Sequence, residues 1–166
     1  MRIAYVGHDM LASCAATILD HGHTISHIYS APWARYPVPV RIADVARRAG
    51  VRVETRRFGR PELLKVRREG VDLIVCAAYP HRLPVDSDGP PAVNVHPSML
   101  PHGRGPSPIE WAILNGLSET GVSVHELTAR FDAGPVLHQR ALAMSPTETA
   151  PGLALRLRSL AAQTLG

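Results

Sequence analysis

Strand-sized apolar runs alternate with amphipathic segments along the first half of the chain. The runs are rich in β-branched residues, and the segments between them carry apolar residues at helical spacing. Asp9 precedes the first such segment, and we expect it to cap that helix. The pattern predicts strands over residues 2–7, 24–29, 51–54 and 71–78, helices over 11–19, 40–49 and 61–69, and a proline-rich loop over 31–39. This alternation is typical of parallel strands joined by helices.

The second half adds strands and helices around a long irregular segment. The pattern predicts strands over 92–95, 121–127 and 135–142, helices over 109–115 and 149–165, and loops over 84–91 and 97–108. Together the two halves predict an α/β fold, a Rossmann-like, doubly wound, mostly parallel sheet with flanking helices. Sites in such sheets form beyond the carboxyl ends of the strands, which here are Gly7, Ala78 and His96.

Composition changes this picture little. The 166 residues suit one domain, and 45% apolar and 19% charged residues are typical of a folded soluble protein. No apolar run approaches the length that crosses a bilayer, so we expect a cytoplasmic protein. Residues 41–68 hold ten basic residues against three acidic ones. That excess fits either solvated helix faces or a surface that faces phosphate or carboxylate groups.

Candidate chemistry appears at the predicted strand over residues 92–95. Asn94 and His96 lie two residues apart, so their side chains point to the same face, and Asp132 precedes a later strand from which it can reach them. This trio suits acyl transfer to an amine, because the N–H groups stabilise an oxyanion and the carboxylate orients the imidazole or takes a proton. The spacing alone equally allows a hydrogen-bonded histidine at a strand end, a turn asparagine and a capping aspartate.

Four segments carry a resemblance to a known family. They are VNVHPSMLP at 93–101, PIEWAILNG at 108–116, ETGVSV at 119–124 and DAGPVLHQ at 132–139. In this order they resemble the folate-dependent formyltransferase family. The resemblance implies the formyltransferase fold, 10-formyltetrahydrofolate as co-substrate and no metal ion. It also matches Asn94, His96 and Asp132 to the family's catalytic residues. Asn94 and protonated His96 would hold the oxyanion, and Asp132 would help to remove the amine proton and keep His96 charged by raising its pKa.

The resemblance further implies a folate slot between the loop after the fourth strand and the loop before Asp132. The residues that match this slot are Tyr79, Pro80, His81, Leu83, Leu127, Thr128, Ala129, Arg130 and Phe131. Many relatives have glycine in place of Pro80, and proline lacks the backbone N–H that glycine offers. The residues expected to shape the active-site loop are Ser98, Pro101, Gly105 and Gly134.

The expected acceptor follows from a comparison with the family's tRNA enzymes. The chain ends at Gly166 without their C-terminal barrel domain, and the loop over 31–39 is shorter than their basic insert. We therefore expect residues 1–166 to form a single catalytic domain, whole or part of a larger protein. Its expected acceptor is the amine of a small metabolite or of a carrier-bound amino acid, and tRNA is not expected as a partner. Two alternatives are hydrolysis of 10-formyltetrahydrofolate and a non-catalytic folate-binding or interaction module.

Overall fold

The computed structural model describes residues 1–30, 41–85 and 89–166. The expected loop over 31–39 and the middle of the expected loop over 84–91 lie outside these residues. The described strands are β1 (Arg2–Gly7), β2 (Thr24–Tyr29), β3 (Val53–Glu54), β4 (Leu73–Ala77), β5 (Ala92–His96), β6 (Glu119–Glu126) and β7 (Val136–Ala143). The described helices are α1 (Ala12–Asp20), α2 (Ile42–Ala49), α3 (Arg60–Arg68), α4 (Pro108–Leu114), α5 (Ala150–Leu165) and a short 3₁₀ helix (Asp9–Leu11). Every predicted strand and helix is present, and its ends move by two residues at most.

The described strands form one sheet in the order β3-β2-β1-β4-β5-β6-β7. The strands from β3 to β5 pair in parallel, whereas β5 with β6 and β6 with β7 pair antiparallel. Val6 lies opposite Cys76, and Cys76 lies opposite Asn94, so the carboxyl ends of β1, β4 and β5 lie side by side. The structure confirms the prediction of a Rossmann-like, mostly parallel α/β sheet.

Helices cover both faces of this sheet. Successive residues of a strand point to opposite faces. Tyr5 therefore packs in one cluster with buried residues of α1, α2 and α5, while Val6 packs in another with those of α3. The apolar runs of β1 and β4 are buried on both sides, as expected of central parallel strands. Within residues 1–30, 41–85 and 89–166, no helix is long and apolar enough to cross a membrane.

Asp9 caps a different helix from the one expected. After β1 the chain makes a 3₁₀ turn, and α1 begins only at Ala12, behind Leu11, which makes no capping hydrogen bond with its side chain. Asp9 Oδ1 instead accepts a hydrogen bond of 2.8 Å from the backbone N–H of Ile42, in the first turn of α2. The prediction is wrong because the extra turn carries the carboxylate to the start of a neighbouring helix, where backbone N–H groups need partners.

Two buried tyrosines provide a test of how polar groups are satisfied in this core. Tyr5 O–H donates a hydrogen bond of 2.8 Å to Leu11 O, whereas the buried hydroxyl of Tyr29 has no hydrogen-bond partner among the described residues. A buried polar group without a partner opposes folding. We expect Tyr29→Phe to raise the free energy of unfolding by about 1 kcal/mol, and the matched control Tyr5→Phe to lower it by about 1 kcal/mol. Urea denaturation measures both, and equal losses in the two variants would contradict this difference.

Candidate active site

A cavity of about 580 Å³ opens beyond the carboxyl ends of β1, β4 and β5. Residues that directly follow these strands line it, namely His8 after β1, Ala78 and Tyr79 after β4, and Pro97 after β5. This is the position expected from the sheet, because parallel strand ends and the following turns leave a crevice there. The volume lies in the range of small-molecule sites.

Asn94, His96 and Asp132 meet at one wall of this cavity. Asn94 Nδ2 donates a hydrogen bond of 3.2 Å to Asp132 Oδ1, and His96 Nδ1 lies 3.6 Å from Asp132 Oδ2. Asn94 and His96 share one face of β5, and Asp132 comes from the turn between β6 and β7. His96 and Asp132 are buried, with 6% and 7% of their surfaces exposed. The structure thus brings together the three residues that the sequence singles out.

His125 lies directly behind this trio. It is fully buried and pairs with Asn94 across β5 and β6. His125 Nδ1 donates a hydrogen bond of 2.9 Å to Glu126 O, because a carbonyl can only accept. The other ring nitrogen, Nε2, lies 3.1 Å from Asn94 Nδ2 and 3.4 Å from Asp132 Oδ1. Sequence reasoning did not assign His125 this place, because it depends on the antiparallel register of the two strands.

The turn that carries Asp132 has an unfavourable backbone conformation. Asp132 has a φ of +47°, and the other non-glycine residues with positive φ in the described chain are Ala78 and Ser107. All three line the cavity. Left-handed residues of this kind concentrate at functional sites, where the surrounding structure holds them in place. Gly134 belongs to the same turn, and a Cβ there would overlap Glu126 O.

Burial is the largest single influence on the pKa of both His96 and Asp132. It lowers the pKa of His96 below its usual value, outweighing the Asp132 charge and the hydrogen bond of 2.8 Å from His96 Nε2 to Gly103 O, which both raise it. The expectation that Asp132 keeps His96 charged is therefore wrong. Burial also raises the pKa of Asp132, but the rings of His125 and His96 and the backbone N–H of Gly105 bring it below its usual range. At neutral pH, Asp132 is ionised and His96 is neutral.

Two segments face the cavity where the folate slot is expected. Eight of the nine expected residues line it, namely Tyr79, Pro80, His81, Leu83, Leu127, Thr128, Arg130 and Phe131. Ala129 instead lines a neighbouring cavity of about 400 Å³ beside Arg57 and Phe58. The chain bends at Ala129, so neighbouring side chains of this segment face different sides. The guanidinium carbon of Arg82 lies 5.7 Å from the centroid of the Phe131 ring, and this contact bridges the two segments.

The residues expected to shape the loop between β5 and α4 take different places. Gly105 lines the cavity, and its backbone N–H donates a hydrogen bond of 2.9 Å to Asp132 Oδ2. Ser98 acts within the loop, where its Oγ donates a hydrogen bond of 2.8 Å to His102 O. Pro101 follows a cis peptide bond. Ser98, Pro101 and Gly134 do not line the cavity.

The sequence did not predict part of the cavity wall. The additional lining residues include His8, Met10, Cys76, Ser107, Ile109 and Glu110. His8 and Met10 follow β1, whose end the sheet rule had indicated, whereas the residues around α4 arrive through an irregular loop that no periodicity describes. Burial raises the pKa of the Cys76 thiol to about 12. In the part of the chain that the structure describes, no group of three or more His, Cys, Asp or Glu residues is arranged to hold a metal ion.

The pairing of His96 with Asp132 determines how His96 titrates. Burial lowers the pKa of His96, and the negative charge of Asp132 opposes that change. Removing the charge with Asp132→Asn is therefore expected to lower the pKa of His96 further. The pH dependence of the His96 ring resonances in NMR spectra measures this pKa. Asp72→Asn is the matched control, because Asp72 binds the backbone N–H of Arg2 at the opposite end of the strands. An unchanged or raised pKa in Asp132→Asn would contradict the pairing.

Solved structures share this fold. Glycinamide ribonucleotide transformylase 1 from Symbiobacterium toebii has a TM-score of 0.79 at 22% identity, over 98% of this chain and 82% of that chain. A formyltetrahydrofolate deformylase from Pseudomonas syringae pv. tomato has a TM-score of 0.77 at 20% identity, over 99% of this chain and 58% of that chain. At these identities the likeness shows the fold alone.

Curated relatives overturn one expectation about partners. Methionyl-tRNA formyltransferase from Anaeromyxobacter dehalogenans (strain 2CP-C) is 33% identical over 99% of this chain, and further relatives carry the same name. The expectation that tRNA is not a partner is therefore wrong. It rested on chain length and loop size, which do not outweigh similarity along nearly the whole chain. The chain covers 56% of that relative, so it spans about half the length of the curated relatives it matches.

A family model covers most of the chain. The model, described as formyl transferase, matches residues 37–165. The matched region includes Asn94, His96 and Asp132 and both segments that face the cavity. The chain therefore belongs to the formyl transferase family.

Proposed function

We propose that this chain transfers a formyl group from 10-formyltetrahydrofolate to an amine, with Asn94, His96 and Asp132 as its catalytic residues. One observation carries the proposal. An ionised carboxylate, Asp132, is buried at the wall of the cavity, where it contacts both the amide of Asn94 and the imidazole of His96. Acyl transfer to an amine needs a base for the amine proton and N–H groups near the developing oxyanion, and this wall provides both kinds of group.

The cavity fits a reduced folate in size and in the character of its walls. Ligand sites of this size are mostly apolar with a few placed polar groups. Here Pro80, Leu83 and Leu127 provide apolar surface, and the carboxylate of Asp132 lies at the same cavity wall. We propose that the segments over 79–83 and 127–131 hold the pterin ring, mainly through backbone groups. Pro80 offers a carbonyl but no N–H, so its contribution is limited to acceptance and packing.

Asp132 is the proposed base. Its pKa lies below the usual carboxyl range, so it carries a negative charge at neutral pH and can accept the proton that the amine nitrogen loses when it bonds to the formyl carbon. His96 Nδ1 lies 3.6 Å from Asp132 Oδ2, while Nε2 is protonated and donates a hydrogen bond to Gly103 O. His96 Nδ1 is therefore free of that carbonyl and can take up the proton that Asp132 removes. The proton then passes to N10 of tetrahydrofolate as the bond between N10 and the formyl carbon breaks.

Asn94 is the proposed oxyanion donor. Its amide nitrogen has two protons, of which one is directed to Asp132 Oδ1 and the other faces His125 Nε2. The hydrogen bond to Asp132 keeps the carboxylate in place. We propose that, when the formyl donor binds, Asn94 turns the proton that faces His125 to the formyl oxygen. His125 supports the amide from behind and does not line the cavity.

The proposed acceptor is the amino group of an aminoacyl-tRNA, with methionyl-tRNA as the first candidate. This proposal rests on the relatives named methionyl-tRNA formyltransferase, which match 99% of this chain. It does not rest on the trio, because the same three groups would serve any primary amine. The chemistry of the cavity wall therefore does not identify the residues that would recognise the rest of the tRNA.

One variant is expected to keep the affinity for the formyl donor and to lose turnover. Asp132→Asn keeps the shape of the side chain but removes the charge, so we expect it to bind 5-formyltetrahydrofolate, a stable isomer of the formyl donor, as the unchanged chain does. Turnover should fall about 10²- to 10⁴-fold, the contribution typical of a general base. Calorimetric titration measures binding, and release of tetrahydrofolate measures turnover. Asp72→Asn should match the unchanged chain in both, and full turnover by Asp132→Asn would remove Asp132 from the mechanism.

The acceptor can be tested with the chain as it stands. The chain is incubated with 10-formyltetrahydrofolate and either methionyl-tRNA or free methionine, and formylated products and free formate are measured. We expect formylmethionyl-tRNA to form faster than formylmethionine, and Asp132→Asn to form either product about 10²- to 10⁴-fold more slowly. Formate release without formylated product would contradict transfer and favour hydrolysis. Equal rates with both acceptors would contradict recognition of tRNA by this chain.

A further inference from the structure

Two polar side chains on the outer strands bind the loop that follows β5. Ser123 on β6 and Gln139 on β7 are a cross-strand pair, and neither lines the cavity. Ser123 is fully buried, and Gln139 is half-buried. They lie behind the loop over 97–107, which leads from His96 to α4. The proposed function assigns them no role.

Ser123 and Gln139 provide the start of this loop with the hydrogen bonds that a neighbouring strand would otherwise provide. Gln139 Nε2 donates hydrogen bonds of 2.7 Å to Leu100 O and 2.8 Å to Ser123 Oγ. Ser123 Oγ donates one of 2.6 Å to Ser98 O and accepts one of 3.0 Å from the backbone N–H of Leu100. The hydroxyl thus uses its one proton and both lone pairs. An irregular buried backbone needs such partners, because its N–H and C=O groups have no sheet or helix to bond with.

The same loop is then closed by its own contacts. Ser98 Oγ donates to His102 O at 2.8 Å, and the backbone N–H of His102 donates to Met99 O at 2.9 Å. Gly103 is packed so closely on Ser98 that a Cβ at residue 103 would lie 2.8 Å from Ser98 Cβ. The position of Gly103 is therefore fixed by Ser98, and Ser98 is fixed by Ser123.

This chain of contacts ends on the catalytic trio. Gly103 O accepts the hydrogen bond of 2.8 Å from His96 Nε2, and the backbone N–H of Gly105 donates one of 2.9 Å to Asp132 Oδ2. Because a carbonyl can only accept, Gly103 O keeps a proton on Nε2 and leaves Nδ1 toward Asp132. The loop therefore sets both the tautomer of His96 and one hydrogen bond of Asp132.

We propose that Ser123 and Gln139 are positioning residues for the transfer reaction. They hold the loop over 98–105 so that Gly103 O and Gly105 N orient His96 and Asp132. The kinetic part of this inference rests on the proposed function, whereas the effect on the His96 ring does not. A role in stability alone would change how much of the protein is folded, without changing the protonation of His96 in the folded molecules.

The test uses Gln139→Met, which keeps the length of the side chain and removes both donated hydrogen bonds. Ser123→Ala is the second variant, and Ser123→Thr restores the hydroxyl. Arg140→Gln is the matched control, because Arg140 neighbours Gln139 on β7, points to the opposite face and is exposed. Ring NMR spectra report the tautomer and the titration of His96 in each folded variant. Steady-state rates with 10-formyltetrahydrofolate report kcat and KM.

In the unchanged chain and in Arg140→Gln, we expect a single His96 tautomer with the proton on Nε2. Gln139→Met and Ser123→Ala should show a mixture of tautomers or a shifted His96 titration. Their kcat should fall about tenfold to a hundredfold, because small displacements of catalytic groups have effects of this size, while KM for the formyl donor changes less than about threefold. Ser123→Thr should recover the single tautomer and most of kcat.

An unchanged His96 spectrum in folded Gln139→Met and Ser123→Ala would overturn the inference. If Gln139→Met does not fold, Gln139→Glu replaces it, since it has the same shape and replaces the amide nitrogen, which donates to Leu100 O and Ser123 Oγ, by an oxygen that only accepts. A rise in KM with unchanged kcat would also overturn the inference, because it would place the pair in binding of the formyl donor. Altered His96 spectra in a chain that transfers no formyl group would instead support the positioning and refute the proposed function.

Discussion

A buried carboxylate must find hydrogen-bond donors, and the geometry of this site follows from that need. Asp132 receives the backbone N–H of Gly105 and the amide of Asn94, and the rings of His96 and His125 stand beside it. These partners come from β5, from the loop after it and from β6. Burial alone would raise the pKa of Asp132, and only the convergence of the partners brings it below the usual range. The cavity wall therefore depends on the packing of three separate parts of the chain around one charge.

The sequence predicted those features that depend on local periodicity. The alternation of apolar runs and amphipathic segments places the strands and helices, and the spacing of Asn94 and His96 on β5 puts both on one face. It did not predict that Asp9 caps α2, that His125 backs the trio, or that Gln139 holds the loop. Each of these depends on which residues meet across a turn or an antiparallel pair, and such register is set by packing over long separations in sequence.

The reacting groups and the acceptor also differ in how far the sequence reveals them. The three residues of the trio come from one strand and one turn, and short sequence motifs contain them. The exclusion of tRNA was inferred from segments that the tRNA enzymes have, and the relatives named methionyl-tRNA formyltransferase contradicted it. Absent segments are weak evidence about a substrate, because an amide, an imidazole and a carboxylate in this arrangement would suit primary amines of many kinds.

The loop that orients His96 is attached to the outermost described strand. β7 pairs with β6 on one side, and no described strand lies on its other side. Edge strands open at lower free energy than central ones, because fewer hydrogen bonds and less packing oppose the opening. Opening of β7 also releases the loop over 98–105, because Gln139 on β7 binds Leu100 O in that loop. On warming, the geometry of the proposed catalytic residues is therefore expected to be lost by local unfolding of this edge while the parallel centre of the sheet is still folded.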